Sequence, residues 1–442
     1  MLSDLRKCIA RLEKTDRLMR VTKQVDPEYE LPAAAKLLHK KYGKAIIFEN
    51  VKGSDLPVIT FLYPDRRSVA EALDLQEGKM FKEWHEREND YKEPVVIENA
   101  PVKEVKITEN LDLTKFPIVT HSIGDAGRYI TGGMVIAKHP VEGHQNASWN
   151  RLQLVDKDKL HVRMMPPQHL GRYHAEAEKL DQPLPAVIVL GAPPAVMFSA
   201  ASKIGYERDE LEFAGALSGS ALEVVKAETV DVLIPAHSEI VIEGEVLPNV
   251  REEEGPFGEF TDSYVPMMKN HVFKAKAITH RVKPLYHDIY AGGQEDLYLL
   301  GLPIEAEIYK HVKNFAPNIT GISTTSFVFN CVISIDKENE EQPKNVLLSA
   351  LASYSWTKMC VVVDSDVDIY NADDVLWAIQ NRCRPDRDVI VIPGVTSYSR
   401  EDVKELHVGK FGIDATTPLH MREIMRRRLI PGEHELNIDD YL

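Results

Sequence analysis

The spacing of apolar residues predicts a small α/β unit at the start of the chain. A first helix is predicted after Ser3, a residue that can cap a helix. Its apolar positions, which recur at helical intervals, are Leu5, Ile9, Leu12 and Leu18. A second predicted helix covers residues 31–42 and ends at Gly43. Short apolar runs at residues 45–48 and 57–60 predict strands.

The pattern changes between about residues 103 and 280, where short β-like runs follow one another with turn residues between most of them. The predicted strands lie at residues 104–107, 133–138, 160–165, 186–191, 231–234, 239–245 and 272–281. One helix is predicted around residues 209–217. Many short strands without regular intervening helices predict an antiparallel barrel or a curved sheet.

The last third of the chain returns to alternating strands and helices. Strands are predicted at residues 327–335, 359–363 and 389–392, and helices at residues 345–355 and from the cap Asn371 to Arg382. This order predicts a parallel sheet. A basic helix is predicted over residues 422–428.

Composition narrows the class of protein. The 442 residues include 53 basic and 68 acidic side chains, a net charge of −15, which argues against non-specific binding to nucleic acid or anionic lipid. The length favours two or three domains. Four widely separated cysteines without a C-x-x-C pair indicate reduced thiols in a cytoplasmic protein. The start of the chain lacks an apolar signal core, and the longest uncharged run, residues 185–202, is interrupted by proline and glycine, so no membrane span is predicted.

The segment Glu254-Gly255-Pro256-Phe257-Gly258-Glu259 is the most informative motif, because it places two carboxylates five positions apart around a tight turn. Two carboxyl groups held close together cannot both ionise easily, so one could keep a proton and act as a general acid. In an arbitrary protein such a hexapeptide is more often an ordinary acidic surface turn. Its interpretation therefore depends on other residues.

Three further residues offer oxygen and nitrogen ligands. Asn146 lies five positions before Arg151, so a bulge or bend is needed to bring both side chains to one site. His169 follows two prolines, although a lone histidine is more often a hydrogen-bonded loop residue. Glu210 lies in an acidic stretch that could simply favour a helix N-terminus. Together these ligands suit a divalent ion such as Mn²⁺ better than zinc, and such an ion can hold a phosphate.

The order of these motifs resembles the UbiD-like family of reversible (de)carboxylases that use prenylated FMN. The similarity covers nearly the whole chain and includes residues 356–359, 364–367 and 382–388. It implies an α/β (α+β) chain in three parts. These are an N-terminal α/β domain at residues 1–105, a flavin-reductase-like split β-barrel that binds the cofactor at residues 106–305, and a C-terminal α/β oligomerisation domain at residues 306–442.

The resemblance also implies roles for individual residues. The implied catalytic residues are Arg151, Glu254 and Glu259, and the implied metal ligands are Asn146, His169 and Glu210, with Glu212 as a rival acidic ligand. The implied cofactor contacts are Asn146, Trp149, Arg151, Gln168, His169, Glu210 and Lys358. Residues 199–202 resemble a segment that lines a monovalent cation site for an ion such as K⁺, and the neighbouring Lys203 is unusual there.

The implied function is non-oxidative, reversible decarboxylation of an aromatic, heteroaromatic or α,β-unsaturated carboxylic acid through a covalent prenylated-FMN adduct, which is a carboxy-lyase activity. Glu259 would protonate the carbon that loses CO₂, while Arg151 pairs with Glu254 and helps to place the substrate carboxylate. The predicted specificity segments are Phe260, residues 292–300 and residues 414–418, and the side chains of Glu295 and Asp296 are expected to face water.

The implied partners are the acid substrate, CO₂, a flavin prenyltransferase that supplies the cofactor, and further copies of the chain in a homodimer or hexamer. Two alternatives remain at this point. A flavin-dependent redox enzyme would need an electron-donor site, and no G-x-G-x-x-G fingerprint follows a predicted strand. The second alternative is that the chain is a subunit, catalytic or non-catalytic, of a larger carboxylase complex. The substrate and the physiological direction stay open.

Overall fold

A computed structural model of the chain describes residues 2–324, 328–398, 400–428, 430–432, 436 and 441. The chain divides into two compact units, Met1–Ala306 and Glu307–Leu442. The predicted boundary between an N-terminal and a central domain falls inside the first unit and stays a prediction.

The first unit combines helices with several sheets. Its helices are α1 Leu5–Lys14, α2 Glu30–Tyr42, α3 Arg66–Leu73, α4 Met80–Arg87, α5 His169–Lys179, α6 Pro194–Ser199, α7 Glu210–Ser218 and α8 Gln294–Val312, the last of which continues past residue 306. Its strands are β1 Leu18–Val21, β2 Ala45–Phe48, β3 Val58–Thr60, β4 Val95–Val96, β5 Val105–Ile107, β6 Tyr129–Ile130, β7 Gly133–Lys138, β8 Gln145–Trp149, β9 Leu152–Asp156, β10 Lys159–Val162, β11 Leu184–Leu190, β12 Glu223–Lys226, β13 Leu233–Pro235, β14 Ile240–Glu254, β15 Phe257–Gly258, β16 Tyr264–Val265, β17 Met268–His280 and β18 Tyr286–His287.

The second unit contains α9 Gln342–Ser353 and α10 Ala372–Arg382, with strands β19 Ile319–Ser323, β20 Asn330–Ile335, β21 Met359–Asp364, β22 Val389–Thr396 and β23 Val408–Ala415. Short 3₁₀ segments lie at Glu77–Lys79, Pro101–Lys103, Leu113–Lys115, Glu401–His407 and Leu419–Met421.

The opening α/β unit forms as predicted except at the ends of its first helix. The cap of α1 is Asp4 rather than Ser3, because the Asp4 carboxylate accepts a hydrogen bond from the Lys7 amide at 2.9 Å. Leu18, predicted on this helix, instead begins β1, which pairs in parallel with β2. Helix α2 ends where expected, since Gly43 adopts the left-handed conformation with φ 61°.

A large sheet dominates the first unit, and its antiparallel pairing confirms the predicted antiparallel arrangement. Its strand order is β6-β9-β10-β17-β14-β11-β7-β8, and β5 also pairs with β17. The register of β14 against β17 breaks between Val246 and Arg251, where Asn249 has φ 59°. Beyond this break β14 continues to Glu254, well past the predicted end at residue 245. The extension carries the start of the acidic hexapeptide to the rim of the sheet.

The second unit has a mixed rather than a parallel sheet, in the order β19-β20-β21-β23-β22. Strands β20 and β21 are parallel, as predicted, and β23, a strand that the sequence analysis did not predict, runs parallel to β21. Strand β22, predicted to be parallel, instead runs antiparallel to β23, and β19 runs antiparallel to β20. Strand β22 reverses because a short connection leads from it directly to β23. Asn371 caps α10 as predicted, by accepting from the Asp373 amide at 3.0 Å. Phe327, the predicted first residue of β20, lies outside the described residues.

The predicted basic helix at residues 422–428 is wrong. The chain forms turns at residues 422–425 and then irregular structure. Arg427 binds both carboxylate oxygens of Asp374 at 2.8 and 2.6 Å, and the guanidinium of Arg422 donates to the carbonyl of Lys337. These tertiary contacts outweigh the local preference for a helix. Among the described residues, no helix combines the length and apolar character needed to cross a membrane.

Candidate active site

A buried ion pair between Arg151 and Glu254 marks the rim of the large sheet. Arg151 lies between β8 and β9, directly before the first residue of β9, and Glu254 ends β14; in the sheet, β10 and β17 lie between β9 and β14. Arg151 Nε and Nη2 donate to the two oxygens of Glu254 at 2.9 and 2.8 Å. The Glu254 side chain is 0% exposed and that of Arg151 is 10% exposed. The geometry is the bidentate fork that guanidinium and carboxylate groups favour.

Three neighbours hold this pair. Asn270 on β17 donates from Nδ2 to Glu254 Oε2 at 2.7 Å. The ring of Phe257 lies 5.0 Å from the Arg151 guanidinium, and the ring of Tyr129 lies 4.5 Å from that of Phe257. Burial, followed by the charge of Glu254, raises the pKa of Tyr129. The phenol therefore stays neutral beside the carboxylate.

Glu259 lies on the hairpin formed by β15 and β16, five residues beyond Glu254. Its amide donates to the Ser263 carbonyl at 3.1 Å, and its carboxylate accepts from the Thr261 hydroxyl at 3.0 Å. Glu259 lines a cavity of about 80 Å³ together with residues that include His121, Ser122, Tyr264, Tyr290 and Ala291. The two acidic residues of the hexapeptide thus differ in environment, since Glu254 is saturated by hydrogen bonds and Glu259 borders open space.

His121, which lines this cavity, is paired with the buried Asp288. His121 Nε2 lies 3.0 and 3.1 Å from the two oxygens of Asp288, which also accepts from the Thr131 hydroxyl at 3.0 Å. Burial lowers the pKa of His121, but the charge and hydrogen bond of Asp288 outweigh it, so that the pKa is raised. Asp288 therefore extends the pH range over which the His121 ring stays protonated.

Asn146, His169 and Glu210 also come together. Asn146 lies on β8, while His169 and Glu210 are the first residues of α5 and α7. Glu210 accepts from Asn146 Nδ2 at 2.9 Å and from the Ala147 amide at 2.8 Å, and its Oε1 lies 4.0 Å from His169 Nδ1. Burial raises the pKa of Glu210 well above its usual value. Burial, with the charges of Arg172 and His144, lowers the pKa of His169, so that its ring is neutral near pH 7.

The donor set fits a divalent cation. Asn146 is 3% exposed, and its Oδ1 has no hydrogen-bond partner within the described structure. An amide oxygen, a carboxylate oxygen and a neutral imidazole nitrogen thus lie together, a mixture that Mn²⁺ and Mg²⁺ accept. Within the described ranges, no group of three or more His, Cys, Asp or Glu side chains is placed to hold a metal ion, so a site here depends on the Asn146 oxygen.

The other predicted residues occupy varied positions. Trp149 Nε1 donates to the Met197 carbonyl at 2.9 Å, and Gln168 is exposed just before α5. Glu212 lies two residues along α7 from Glu210, so on a helix its side chain points about 200° away. The Ser199 and Ser202 hydroxyls donate to carbonyls of their own helical segment at 2.9 and 2.8 Å. These placements leave the predicted roles as proposals.

Lys358 lies in the second unit, where its ammonium donates to the carbonyl of Leu406 at 2.6 Å. In the same unit, Asp414 accepts from the Thr416 amide at 3.0 Å. Their predicted roles toward the cofactor and the substrate also stay predictions.

The expectation that Glu295 and Asp296 face water is wrong. Glu295 is 1% exposed and accepts from the Leu62 amide at 2.9 Å, while its other oxygen lies 2.8 Å from His287 Nε2. Asp296 is partly buried and accepts from the Gly292 amide at 2.8 Å, and burial raises its pKa to about 6. Most of the segment predicted as a loop, residues 292–300, forms the first turns of α8. The acidic residues of these turns form hydrogen bonds with backbone amides and with a histidine.

Four site residues escaped prediction: Tyr129, Asn270, His121 and Asp288. Asp288 lies 167 positions from His121, and Asn270 lies 16 positions from Glu254 on another strand. No local motif marks such pairs. The available signal was alternation on β17, which could have identified Asn270 as an inward polar residue among apolar neighbours.

Comparison with known proteins identifies the family. Family models for the three domains of 3-octaprenyl-4-hydroxybenzoate carboxy-lyase match residues 9–88 (N-terminal), 94–294 (Rift-related) and 297–415 (C-terminal). The chain belongs to the UbiD family. UbiD-family proteins are carboxy-lyases, which confirms the enzyme class and the three-part α/β fold expected from the motifs.

Named relatives extend over nearly the whole chain. Anhydromevalonate phosphate decarboxylase of Methanosarcina mazei is 34% identical over 429 residues, which cover 96% of this chain and 99% of the relative. Phenolic acid decarboxylase of Sedimentibacter hydroxybenzoicus is 32% identical over 441 residues, covering 94% and 92%.

The solved structure of the UbiD-class enzyme HmfF from Pelotomaculum thermopropionicum, in complex with FMN, is 38% identical with a TM-score of 0.93 and coverage of 99% and 100%. An evolved dimeric form of HmfF, in complex with prenylated FMN, gives a TM-score of 0.91 at 38% identity, with 100% of both chains covered.

Proposed function

We propose that this UbiD-family enzyme uses prenylated FMN to remove CO₂ reversibly from an aromatic, heteroaromatic or α,β-unsaturated carboxylic acid. The observation that carries the proposal is the buried fork between Arg151 and Glu254, five residues from a second glutamate that borders a cavity. A reaction that moves CO₂ and one proton needs a cation for the carboxylate and a separate proton donor. Arg151 and Glu259 supply these two functions.

Arg151 is the group that places the substrate carboxylate. The two bonds to Glu254 use Nε and Nη2, so Nη1 is available to a second acceptor. The ring of Phe257 and the fork to Glu254 fix the plane of the guanidinium before substrate arrives, which lowers the entropic cost of binding. Lysine could not reproduce this planar arrangement.

Glu259 is the proton donor in decarboxylation and the acceptor in the reverse reaction. When the C–CO₂ bond breaks, the electron pair stays with the substrate carbon, and the Glu259 carboxyl delivers a proton to that carbon. The Thr261 hydroxyl holds one Glu259 oxygen at 3.0 Å and so orients the carboxyl group. Bound prenylated FMN would supply the electron sink that stabilises the carbon while it waits for this proton.

Asn146, His169 and Glu210 would hold a divalent ion such as Mn²⁺ that ties the cofactor phosphate to the protein. The unpartnered Asn146 Oδ1 and the Glu210 carboxylate provide the oxygens, and the neutral His169 ring provides the nitrogen. Trp149 and Gln168 are the further proposed cofactor contacts in the first unit, and residues 199–202 are the candidate K⁺ segment. A flavin prenyltransferase would supply the cofactor.

The remaining features of the proposal concern assembly and location. The chain works as a homodimer or hexamer in the cytoplasm, with a C-terminal domain at residues 306–442 that mediates oligomerisation. The dimeric state named for one HmfF form supports this proposal by analogy.

The deciding experiment is co-expression with a flavin prenyltransferase, followed by anaerobic purification. The pigment and the metal content would be measured first, by absorption and by elemental analysis. A panel of hydroxybenzoates, furan and pyrrole carboxylates and acrylic-type acids would then be assayed for CO₂ release. We expect at least one acid to react, and a fully loaded protein that releases CO₂ from no member would overturn the proposal.

Two variants separate catalysis from folding. Glu259→Gln keeps the shape of the side chain and removes the proton, so turnover should fall by about 10²-fold or more with pigment content unchanged. Glu253→Gln is the matched control, because Glu253 lies in the same segment and is exposed. Activity of the Glu259 variant equal to that of the control would remove Glu259 from the role.

A further inference from the structure

We propose that His121 determines substrate class by donating a hydrogen bond from Nδ1 to an oxygen of the substrate that is separate from the reacting carboxylate. Asp288 is the positioning residue that holds the imidazole for this purpose. The inference rests on the proposed function, because it names the acids that the same site selects. It concerns residues that no motif of the sequence identified.

The orientation of the ring follows from its partners. Asp288 is 1% exposed, and its oxygens accept from the Thr131 hydroxyl at 3.0 Å and lie 3.0 and 3.1 Å from His121 Nε2. A carboxylate can only accept a hydrogen bond, so Nε2 of His121 carries a proton and donates a hydrogen bond to Asp288. This hydrogen bond fixes the orientation of the imidazole ring. The second nitrogen, Nδ1, then faces away from Asp288.

Nδ1 is a buried polar atom without a partner in the part of the chain that the structure describes. The His121 side chain is 3% exposed, yet the residue lines the same cavity as Glu259. A buried nitrogen that makes no hydrogen bond is destabilising, because its lost contact with water is not compensated. A bound group with a suitable atom would remove that cost, which is the usual reason for such an atom at a site.

The charges around the ring decide which kind of group fits. The buried Asp288 carboxylate, with its two oxygens 3.0 and 3.1 Å from Nε2, favours a positive charge on the ring, and Asp125 acts in the same direction. Glu259 borders the same cavity. The ring of Tyr290 lies edge-on to His121, with the centroids 6.3 Å apart, and adds an apolar wall. A protonated imidazole carries hydrogen on both nitrogens, so Nδ1 is a donor and its ligand must be an acceptor.

The substrate class is therefore an unsaturated carboxylic acid with a second oxygen acceptor at its far end. A phenol or phenolate oxygen, a second carboxylate and a phosphate ester share this chemistry. Plain acids such as benzoate or 2-furoate lack it and should be poor substrates. The cavity arrangement does not distinguish among the three acceptors, so the experiment includes one pair for each.

The test uses holoenzyme and matched pairs of acids. The pairs are 4-hydroxybenzoate with benzoate, furan-2,5-dicarboxylate with 2-furoate, and a phosphorylated hydroxyalkenoate with the alkenoate that lacks both the hydroxyl and the phosphate. kcat and KM are measured, and equilibrium binding is measured by calorimetry whether or not an acid turns over. The preferred pair is the one whose acceptor-bearing acid the wild-type enzyme binds most tightly. For that acid, His121→Asn should weaken binding and raise KM by about 10- to 100-fold, which corresponds to the loss of one charge-assisted hydrogen bond. The plain acid should change by less than about 3-fold.

Two further variants keep the test decisive. Asp288→Asn is nearly isosteric and should produce the same selective loss through the ring, even if His121→Asn folds poorly. His161→Asn is the control, because His161 is similarly buried, with a side chain 6% exposed, and lies 2.9 Å from a different carboxylate, that of Glu252.

The outcomes separate this inference from the proposed function. The role of His121 would be overturned if the variant lost affinity equally for both members of every pair. It would also be overturned if the wild-type enzyme bound acids with and without the acceptor equally well. Neither result would contradict decarboxylation. A holoenzyme that binds acceptor-bearing acids selectively but releases no CO₂ would support His121 and count against the proposed reaction.

Discussion

The ion pair between Arg151 and Glu254 allows a quantitative test of the site. Glu254→Gln keeps the volume of the side chain but removes the charge that compensates Arg151. The wild-type carboxylate accepts three hydrogen bonds of 2.7 to 2.9 Å and is 0% exposed, so its loss leaves a nearly buried guanidinium without a counter-charge. Breaking one side of such a buried pair costs about 3–5 kcal/mol.

A built-in control lies two residues away on the same strand. Glu252 also forms an ion pair, with Lys159 at 2.9 Å, but these side chains are 40% and 29% exposed. Water already solvates this pair, so Glu252→Gln should cost only about 0–1 kcal/mol. The same chemical change on one strand thus isolates the effect of burial.

The assay is urea-induced unfolding followed by tryptophan fluorescence, with reversibility checked for each protein. The double variant Arg151→Gln/Glu254→Gln should be less destabilised than the sum of the two single variants, by about 0.5–3 kcal/mol, because neither charge is then left alone. Additive free energies, or a Glu254 variant no less stable than the Glu252 variant, would refute the reasoning.

Three further predictions follow from the described geometry. His169→Ala should lose bound manganese and pigment while His237→Ala keeps both, as checked by elemental analysis and absorption; retention by the first variant would exclude His169 as a ligand. The pKa of His121 is raised above 6.5, so the KM of an acceptor-bearing acid should be lowest below pH 6.5 and should rise as pH increases through the raised pKa. In a pH–KM profile, Asp288→Asn should move this rise to lower pH. Gly132→Ala should destabilise the fold by about 1–3 kcal/mol in urea unfolding, since the new methyl would lie 2.1 Å from a backbone oxygen, whereas Gly78→Ala has open space and should be neutral or stabilising.

Local signals explain which parts of the fold were predictable. Strand β7 has its predicted bounds, and Gly43 and Asn371 end and begin helices as their chemistry requires. The prediction that Leu18 belongs to the first helix was wrong because the chain turns at residues 15–16. After that turn, an apolar residue at helical spacing fits a strand equally well. The direction of β22 was missed because β-α-β order says nothing about a short return connection.

The site was only partly predictable, for a different reason. Motif order placed Arg151 and Glu254 in one site, but the fork between them depends on the strand order of the large sheet, in which β10 and β17 lie between β9, directly after Arg151, and β14. His121 and Asp288 come together through contacts 167 positions apart in sequence. Such pairs are set by tertiary packing, and a single sequence carries no record of them.

The two glutamates of the hexapeptide divide their work by environment. The sequence suggested that close carboxyl groups would compete for a proton, but Glu254 has both oxygens engaged by Arg151 and Asn270. Because these bonds hold both oxygens, the Glu254 carboxylate is poorly placed to reach a substrate atom. Glu259 accepts a hydrogen bond from the Thr261 hydroxyl and borders the cavity. This difference supports Glu259 as the proposed proton donor, and the turn between the two residues is what lets one carboxylate stay buried while the other borders the cavity.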